Sequence, residues 1–279
     1  MNLQKIYIIS YFGDNSVRDK RKHYHRQQLD WCANQNLDIF VLAQDYYKSD
    51  YDDRVTYIQH DNSIVLPSVA RNICLRHFYA SDCNFAIFAD NDCVLHTGPK
   101  YGDSTNFVQT FNSIDLKKLN GVDFFYPLNP GRMPFSKMIA ENTELFNNYL
   151  NFQRGMEPKS MYVLKNLVKF YNTPIFFDEI NFTLQNGYMI AHEDTDFACQ
   201  LLTNGYSVYR LNNIILKEFG SNNSTWLNQK DIKRKLSAET GRDILCRKYN
   251  LLRKNNRMSF RPLYHISNNK PILNISKNA

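Results

Sequence analysis

Phe85-Ala86-Ile87-Phe88-Ala89-Asp90-Asn91-Asp92-Cys93-Val94-Leu95 is the stretch on which the fold turns. A short run of apolar and aromatic residues has the composition of a buried strand. It stops on two carboxylates one residue apart, and apolar residues then resume. In extended chain, side chains at i and i+2 point the same way, so Asp90 and Asp92 are expected to present their oxygens together. The carboxyl end of a central strand is where an open α/β sheet places its ligand site. Two clustered carboxylates repel, and a hard divalent cation that itself carries phosphate is the usual remedy. A bare Asp-x-Asp more often just ends a strand as a turn. Three features weigh against that here: the apolar strand before it, its place in an α/β pattern, and a second acidic cluster about a hundred residues on.

Upstream, Lys5-Ile6-Tyr7-Ile8-Ile9-Ser10-Tyr11-Phe12-Gly13 reads as a first strand closed by a glycine turn. Residues 16–34 are polar and basic without breakers and predict a helix lying on one sheet face. Leu37-Asp38-Ile39-Phe40-Val41-Leu42-Ala43 is a second strand ending at Gln44-Asp45, and residues 54–59 alternate as a third. Pro67 opens a helix through Ala70-Arg71-Asn72. Strand, helix, strand, strand, helix, strand predicts an α/β fold: a mostly parallel central sheet with helices on both faces.

Downstream, residues 98–105 read as a loop, 114–119 as a short helix and 123–127 as a strand, with 134–156 mixed. Residues 160–168 and 174–177 read as a strand pair, with Tyr126, Arg132 and Phe176 as an acceptor-binding patch. The second acidic cluster is His192-Glu193-Asp194-Thr195-Asp196, where Thr195 or Asp194 would cap a helix whose apolar face holds Phe197, Leu201 and Leu202. A strand at 205–211 follows and continues at 214–216. From residue 228 a basic helical pattern sets in, with Ile232 and Leu236 on one stripe. Beyond Asn250 apolar anchors are few, and the tail reads as partly disordered.

A chain of 279 residues, 43% hydrophobic and 14% aromatic, suits one large α/β domain with an appended tail. The division expected is 1–225 as the main domain (1–97 binding a nucleotide-sugar, 98–225 an acceptor) and 226–279 as a basic helical extension. No run of about eighteen apolar residues suggests a transmembrane helix. The first residues lead straight into a strand, and the six cysteines lack metal spacing, so they read as reduced cytoplasmic thiols. Net charge is +7, but residues 228–279 carry thirteen Lys or Arg against three Asp or Glu, an excess of +10 that leaves −3 for the rest. Such asymmetry suggests a polyanionic partner, nucleic acid above all.

Ala70-Arg71-Asn72 before the central strand, Asp90-Asn91-Asp92 at its end and Glu193-Asp194-Thr195-Asp196 at a helix start together resemble the GT-A-fold nucleotide-sugar glycosyltransferases, over residues 6–220. The resemblance implies that Asp90 and Asp92 hold Mn²⁺ or Mg²⁺. It also implies that Asp194 is the catalytic base, with Glu193 orienting the acceptor; an unpaired aspartate beside an anionic substrate would have its pKa raised, which suits that role. A departing diphosphate needs its charge neutralised, and the acceptor hydroxyl needs a base. Ser10, Tyr11, Gln44 and Asp45 are candidates for holding base and ribose, and Arg71 for facing the uracil or pyrophosphate. Many members supply a late His to the metal. Here Leu216-Lys217-Glu218-Phe219-Gly220 has none, leaving Glu218 as a metal ligand or Lys217 as a phosphate contact. The basic tail and the Asn-, Lys-, Tyr- and Phe-rich character are most similar to the T-even phage beta-glucosyl-HMC-alpha-glucosyltransferase group. That implies UDP-glucose as donor, double-stranded modified DNA as acceptor, and the infected host's cytoplasm. Two alternatives stay open: a transferase acting on surface polysaccharide or lipid-linked sugar, and a non-catalytic nucleic-acid-binding protein.

Overall fold

The computed structural model describes residues 3–97, 107–113, 124–128, 145–147, 161–185, 188–206, 208–219, 231–254, 257–259, 264–267 and 270–273. The readings at 98–105 and 114–119, at 134–156 apart from 145–147, and at Arg132 lie outside the described residues, as do the side chains of Tyr126, Lys217 and Glu218. The first half alternates strand and helix: β1 (Leu3–Tyr11), α1 (Arg18–Asn34), β2 (Asp38–Gln44), β3 (Val55–Tyr57), α2 (Pro67–Tyr79), β4 (Phe85–Asp90) and β5 (Cys93–Thr97). Then come α3 (Phe107–Ser113), β6 (Phe124–Leu128), β7 (Leu145–Asn147), β8 (Met161–Lys165) and α4 (Leu167–Tyr171). The hairpin β9 (Leu184–Gln185) and β10 (Tyr188–Met189) leads to α5 (Glu193–Thr203), β11 (Val208–Glu218) and α6 (Asp231–Lys248).

One sheet runs β3-β2-β1-β4-β8-β6-β11-β5, with β7 on β11. Its first four strands are parallel, whereas β8 enters antiparallel to both β4 and β6. The sheet is therefore parallel on the side that carries the first strand ends and mixed beyond β4. Strand alternation sorts side chains onto two faces. Tyr7, Phe88, Tyr162 and Leu164 pack with α2, α5 and α6, while Ile6, Ile8, Ile87 and Val163 pack with α1 and α3. No helix among the described residues is long and apolar enough to cross a membrane.

Three sequence expectations change. Residues 174–177 form no strand and do not pair with β8, whose two edges are taken by β4 and β6. Their backbone is held by side chains instead: Phe177 N donates to Asn72 Oδ1 at 2.8 Å, Asn72 Nδ2 to Phe177 O at 2.9 Å, and Tyr79 OH to Ile175 O at 3.0 Å. The tail beyond Asn250 contains two hairpins, β12 (Leu252–Lys254) with β13 (Arg257–Ser259) and β14 (Tyr264–Ser267) with β15 (Lys270–Leu273). Finally, α6 does not meet the body through Leu236, which is 43% exposed. Ile244 and Leu245 are buried in the same cluster as α2 and α5.

The docking of α6 hinges on Gly241, which is buried against the loop before α5. A Cβ there would run into Ala191 O, a backbone atom that cannot step aside. Gly241→Ala is therefore expected to push α6 off this loop and lower stability by about 1–3 kcal/mol. An unchanged urea midpoint would contradict that close approach.

Candidate active site

The two acidic motifs, about a hundred residues apart in sequence, meet at Arg71. Each residue of Ala70-Arg71-Asn72 has a separate task. Ala70 is fully buried in the core, Asn72 pins residues 177–179, and Arg71 points toward the carboxyl end of β4. Its Nη2 lies 3.2 Å from Asp90 Oδ1, and its Nη1 pairs with Glu193 Oε1. The guanidinium also lies 5.4 Å from the Phe177 ring centroid. Arg71 is therefore engaged by carboxylates of both motifs.

Asp90 ends β4, and Asn91 and Asp92 form the turn to β5. The middle side chain is turned inward. Asn91 is buried, accepts from Arg21 Nη2 at 2.7 Å, and donates to Ser10 Oγ at 3.0 Å and Tyr11 O at 3.2 Å. The flanking carboxylates reach the rim, 31% exposed for Asp90 and 15% for Asp92. Arg21 Nη1 stands 3.7 Å from Asp92 Oδ2. The end of β11 closes the other side: Glu218 is in register with Cys93, Lys217 with Val94, and Phe219 N donates to Asp92 O at 2.8 Å. Positions 217 and 218 thus lie beside the Asp-x-Asp turn through their backbone.

Among the described residues, no three His, Cys, Asp or Glu gather as a metal cage. Two rim carboxylates are nevertheless a fitting donor set for a hard cation. Mg²⁺-like ions commonly take one or two carboxylates and complete their shell with phosphate oxygens and water.

Burial pushes the Asp90 carboxyl up to about 6; Arg71 opposes the rise, and the Asp92 and Glu193 charges add to it. A carboxyl with a folded pKa above its unfolded one stabilises fully below the unfolded value, and that contribution is lost as pH rises through about 6. Asp90→Asn cannot ionise. In metal-free buffer its melting temperature relative to wild type is therefore expected to climb between pH 4 and pH 7. A difference that stays flat over that window would refute the shift.

The residues expected to hold base and ribose fall into two groups. Ser10 is fully enclosed, its Oγ accepting from Tyr46 OH at 2.6 Å and from Asn91, and Gln44 is buried with Oε1 accepting from Val65 N at 2.9 Å. Both shape the site from behind and do not stand open to a ligand. Asp45 sits in the left-handed region at φ 54°, its carboxylate half-exposed and 3.6 Å from Arg18 Nη1. Tyr11 is partly exposed, and its phenol is raised by burial and by nearby Asp45 and Asp14.

The second cluster begins α5. Its N-cap is His192, in the left-handed region at φ 78°, and not Thr195 or Asp194. Asp196 N donates to His192 O at 2.9 Å, so the helix starts one turn earlier than a Thr195 cap would allow. Three acidic residues in the first turn complement the helix dipole. Asp194 is not unpaired as expected: its Oδ1 accepts from Thr195 N at 2.7 Å. Asp196 is fully buried.

Sequence reasoning passed over the inner face of α1. Arg18, Arg21, His25 and Gln28 are all buried, and Gln28 Nε2 donates to Asp90 O at 2.7 Å and Cys93 O at 2.8 Å. Arg18 lies over the Tyr47 ring at 3.7 Å and pairs with Asp50. Their spacing of three and four residues marks a single helical face, the signal that could have singled them out within the helix expected on this sheet face. Tyr46, Lys248 and Tyr249 were missed likewise, since none of them belongs to a motif.

No protein-family model and no curated protein sequence matches the chain. Among solved structures, it is similar to S. aureus TarS 1–349, at 12% identity and TM-score 0.49 over 91% of this chain and 74% of that one. GalNAc-T7 with UDP, GalNAc and Mn²⁺ aligns at 10% identity and TM-score 0.46, over 78% of this chain and 44% of that one. The galactosyltransferase LgtC with donor and acceptor sugar analogues aligns at 10% identity and TM-score 0.37, over 74% and 73% respectively.

Proposed function

We propose that the chain is a metal-dependent hexosyltransferase that uses a nucleotide-sugar, UDP-glucose in the first instance. The observation that carries the reading is Arg71, ion-paired at once to Asp90 of Asp-x-Asp and to Glu193 of Glu-Asp-x-Asp. An arginine joining a cation-type carboxylate pair to an acid–base helix start brings leaving-group and acceptor chemistry to one sheet end. Asp90 and Asp92, with Glu218 alongside, would hold Mn²⁺ or Mg²⁺, whose charge when bound offsets that of the departing diphosphate, and Lys217 would contact its phosphate. Asp194 takes the proton of the acceptor hydroxyl. Glu193, fixed by Arg71, orients that hydroxyl. Asp45 and Tyr11 face the nucleoside, with Ser10 and Gln44 bracing them.

The acceptor in this reading is glucosylated hydroxymethylcytosine in phage DNA, favoured by the +10 excess of residues 228–279. Part of that charge has internal partners, since Lys248 pairs with Asp178 and Asp196, and Arg253 with Asp243. A thermal-shift panel of UDP-, GDP- and dTDP-sugars with and without Mn²⁺ tests the donor. Labelled-glucose transfer to modified DNA, read by nucleoside mass spectrometry, tests the acceptor. A panel without any shift would end the transferase reading. Donor binding with transfer only to polysaccharide or lipid-linked sugar would move the acceptor to the cell surface.

A further inference from the structure

The loop that delivers Glu193 and Asp194 is held from one side by a single helix. Ser237, fully buried on α6, donates its hydroxyl to Met189 O. One turn on, Gly241 meets the carbonyl of Ala191 so closely that no Cβ fits. At the helix end, Lys248 Nζ lies 2.8 Å from Asp196 Oδ1 and 2.6 Å from Asp178 Oδ2, and Tyr249 OH donates to Asp196 Oδ1 at 2.8 Å. Gln200 Nε2 completes the shell of Asp196 with a 2.7 Å bond to Oδ2. The grip therefore spans the loop from Met189 to Asp196. Within it His192 keeps a left-handed backbone at φ 78°. A non-glycine residue stays in that region only where its surroundings over-determine it.

We propose that α6 is a splint for the acid–base loop, with Lys248, Tyr249 and Ser237 as positioning residues that set Asp194 through Asp196 and Met189. This rests on the reading of Asp194 as base. It gives the last aspartate of Glu193-Asp194-Thr195-Asp196 a task of its own. Asp196 touches no substrate; it is the anchor by which the C-terminal helix fixes the two carboxylates before it. It also makes α6 part of the catalytic unit and not only a basic surface.

Two variants test the splint in the full-length protein. Tyr249→Phe removes one hydrogen bond and leaves the ion pair. The double variant Asp196→Asn/Lys248→Met removes both charges of the Asp196–Lys248 pair together, and Asp178, which loses Lys248, keeps the bonds it accepts from Ile180 N, Asn181 N and Asn181 Nδ2. Amide hydrogen exchange of residues 190–196 is read beside steady-state transfer and the donor-induced thermal shift. Exchange is expected to quicken and kcat to fall about 10- to 100-fold, with the KM for donor and the thermal shift unchanged. Lys248→Arg, which keeps the pairing, is expected to retain most of the rate. Wild-type kcat in both variants overturns the proposal, as does a fall in kcat without faster exchange in the loop. If the wild-type protein transfers no sugar yet exchange quickens in the variants, the transferase reading fails while the mechanical role of α6 stands.

Discussion

Asp194→Asn is expected to slow glycosyl transfer about 100- to 10,000-fold, the span attributed to a lost general base, while donor binding is kept. The substitution is isosteric. An amide oxygen still accepts from Thr195 N, the 2.7 Å bond that Asp194 Oδ1 makes at the start of α5. The helix start and the Arg71–Glu193 pair therefore survive, and what goes is the capacity to take up a proton. Because kcat and kcat/KM for donor should drop together, the loss reports the transition state and not ground-state binding. Initial rates with saturating UDP-sugar and a donor titration by thermal shift provide the check. Less than a tenfold loss, with the fold intact, would remove Asp194 from the role of base.

Arg71→Ala is expected to be the most damaging single change to stability outside the apolar core, at about 3 kcal/mol, the lower end of the cost of breaking a buried ion pair. The side chain is only 10% exposed, and its removal leaves Asp90 and Glu193 facing each other without the intervening cation. The two acceptors are less enclosed than the donor, 31% exposed for Asp90 and 14% for Glu193, which keeps the cost from the upper end. The guanidinium's contact with the Phe177 ring is lost as well. Adding Asp90→Asn should recover part of the loss, since it removes one of the two stranded charges, and a double-mutant cycle measures how much. Urea unfolding in metal-free buffer gives the numbers. A loss under about 1 kcal/mol would place the pair in the class of solvent-screened surface bridges and deny it the bridging role.

Much of the site was legible in residue order because its parts lie at element boundaries. Apolar residues before Asp90 announce a strand, and a carboxylate directly after a buried run can only lie at the strand's end. The same logic placed Glu193 and Asp194 at a helix start, where the dipole favours them. It failed for Ser10 and Gln44, which also sit at strand ends. The difference is neighbours: Tyr46, Asn91 and the Val65 amide close over them, and none of these is readable from the strands themselves. It failed again for residues 174–177. Their apolar run satisfies the pattern of a strand, but the edges they needed were taken and Asn72 supplied the hydrogen bonds instead.

Residue order alone thus determined the α/β alternation, the parallel start of the sheet, and the two acidic motifs. These follow from local periodicity and from backbone rules that act over a few residues. Only the tertiary structure decided that β8 enters antiparallel beside β4, that Arg71 ties the two motifs together, and that α6 grips the loop before α5. Each of these is a contact between segments separated by tens to more than a hundred residues. Such contacts depend on which edges and faces remain open once the rest has packed, and no local pattern records that.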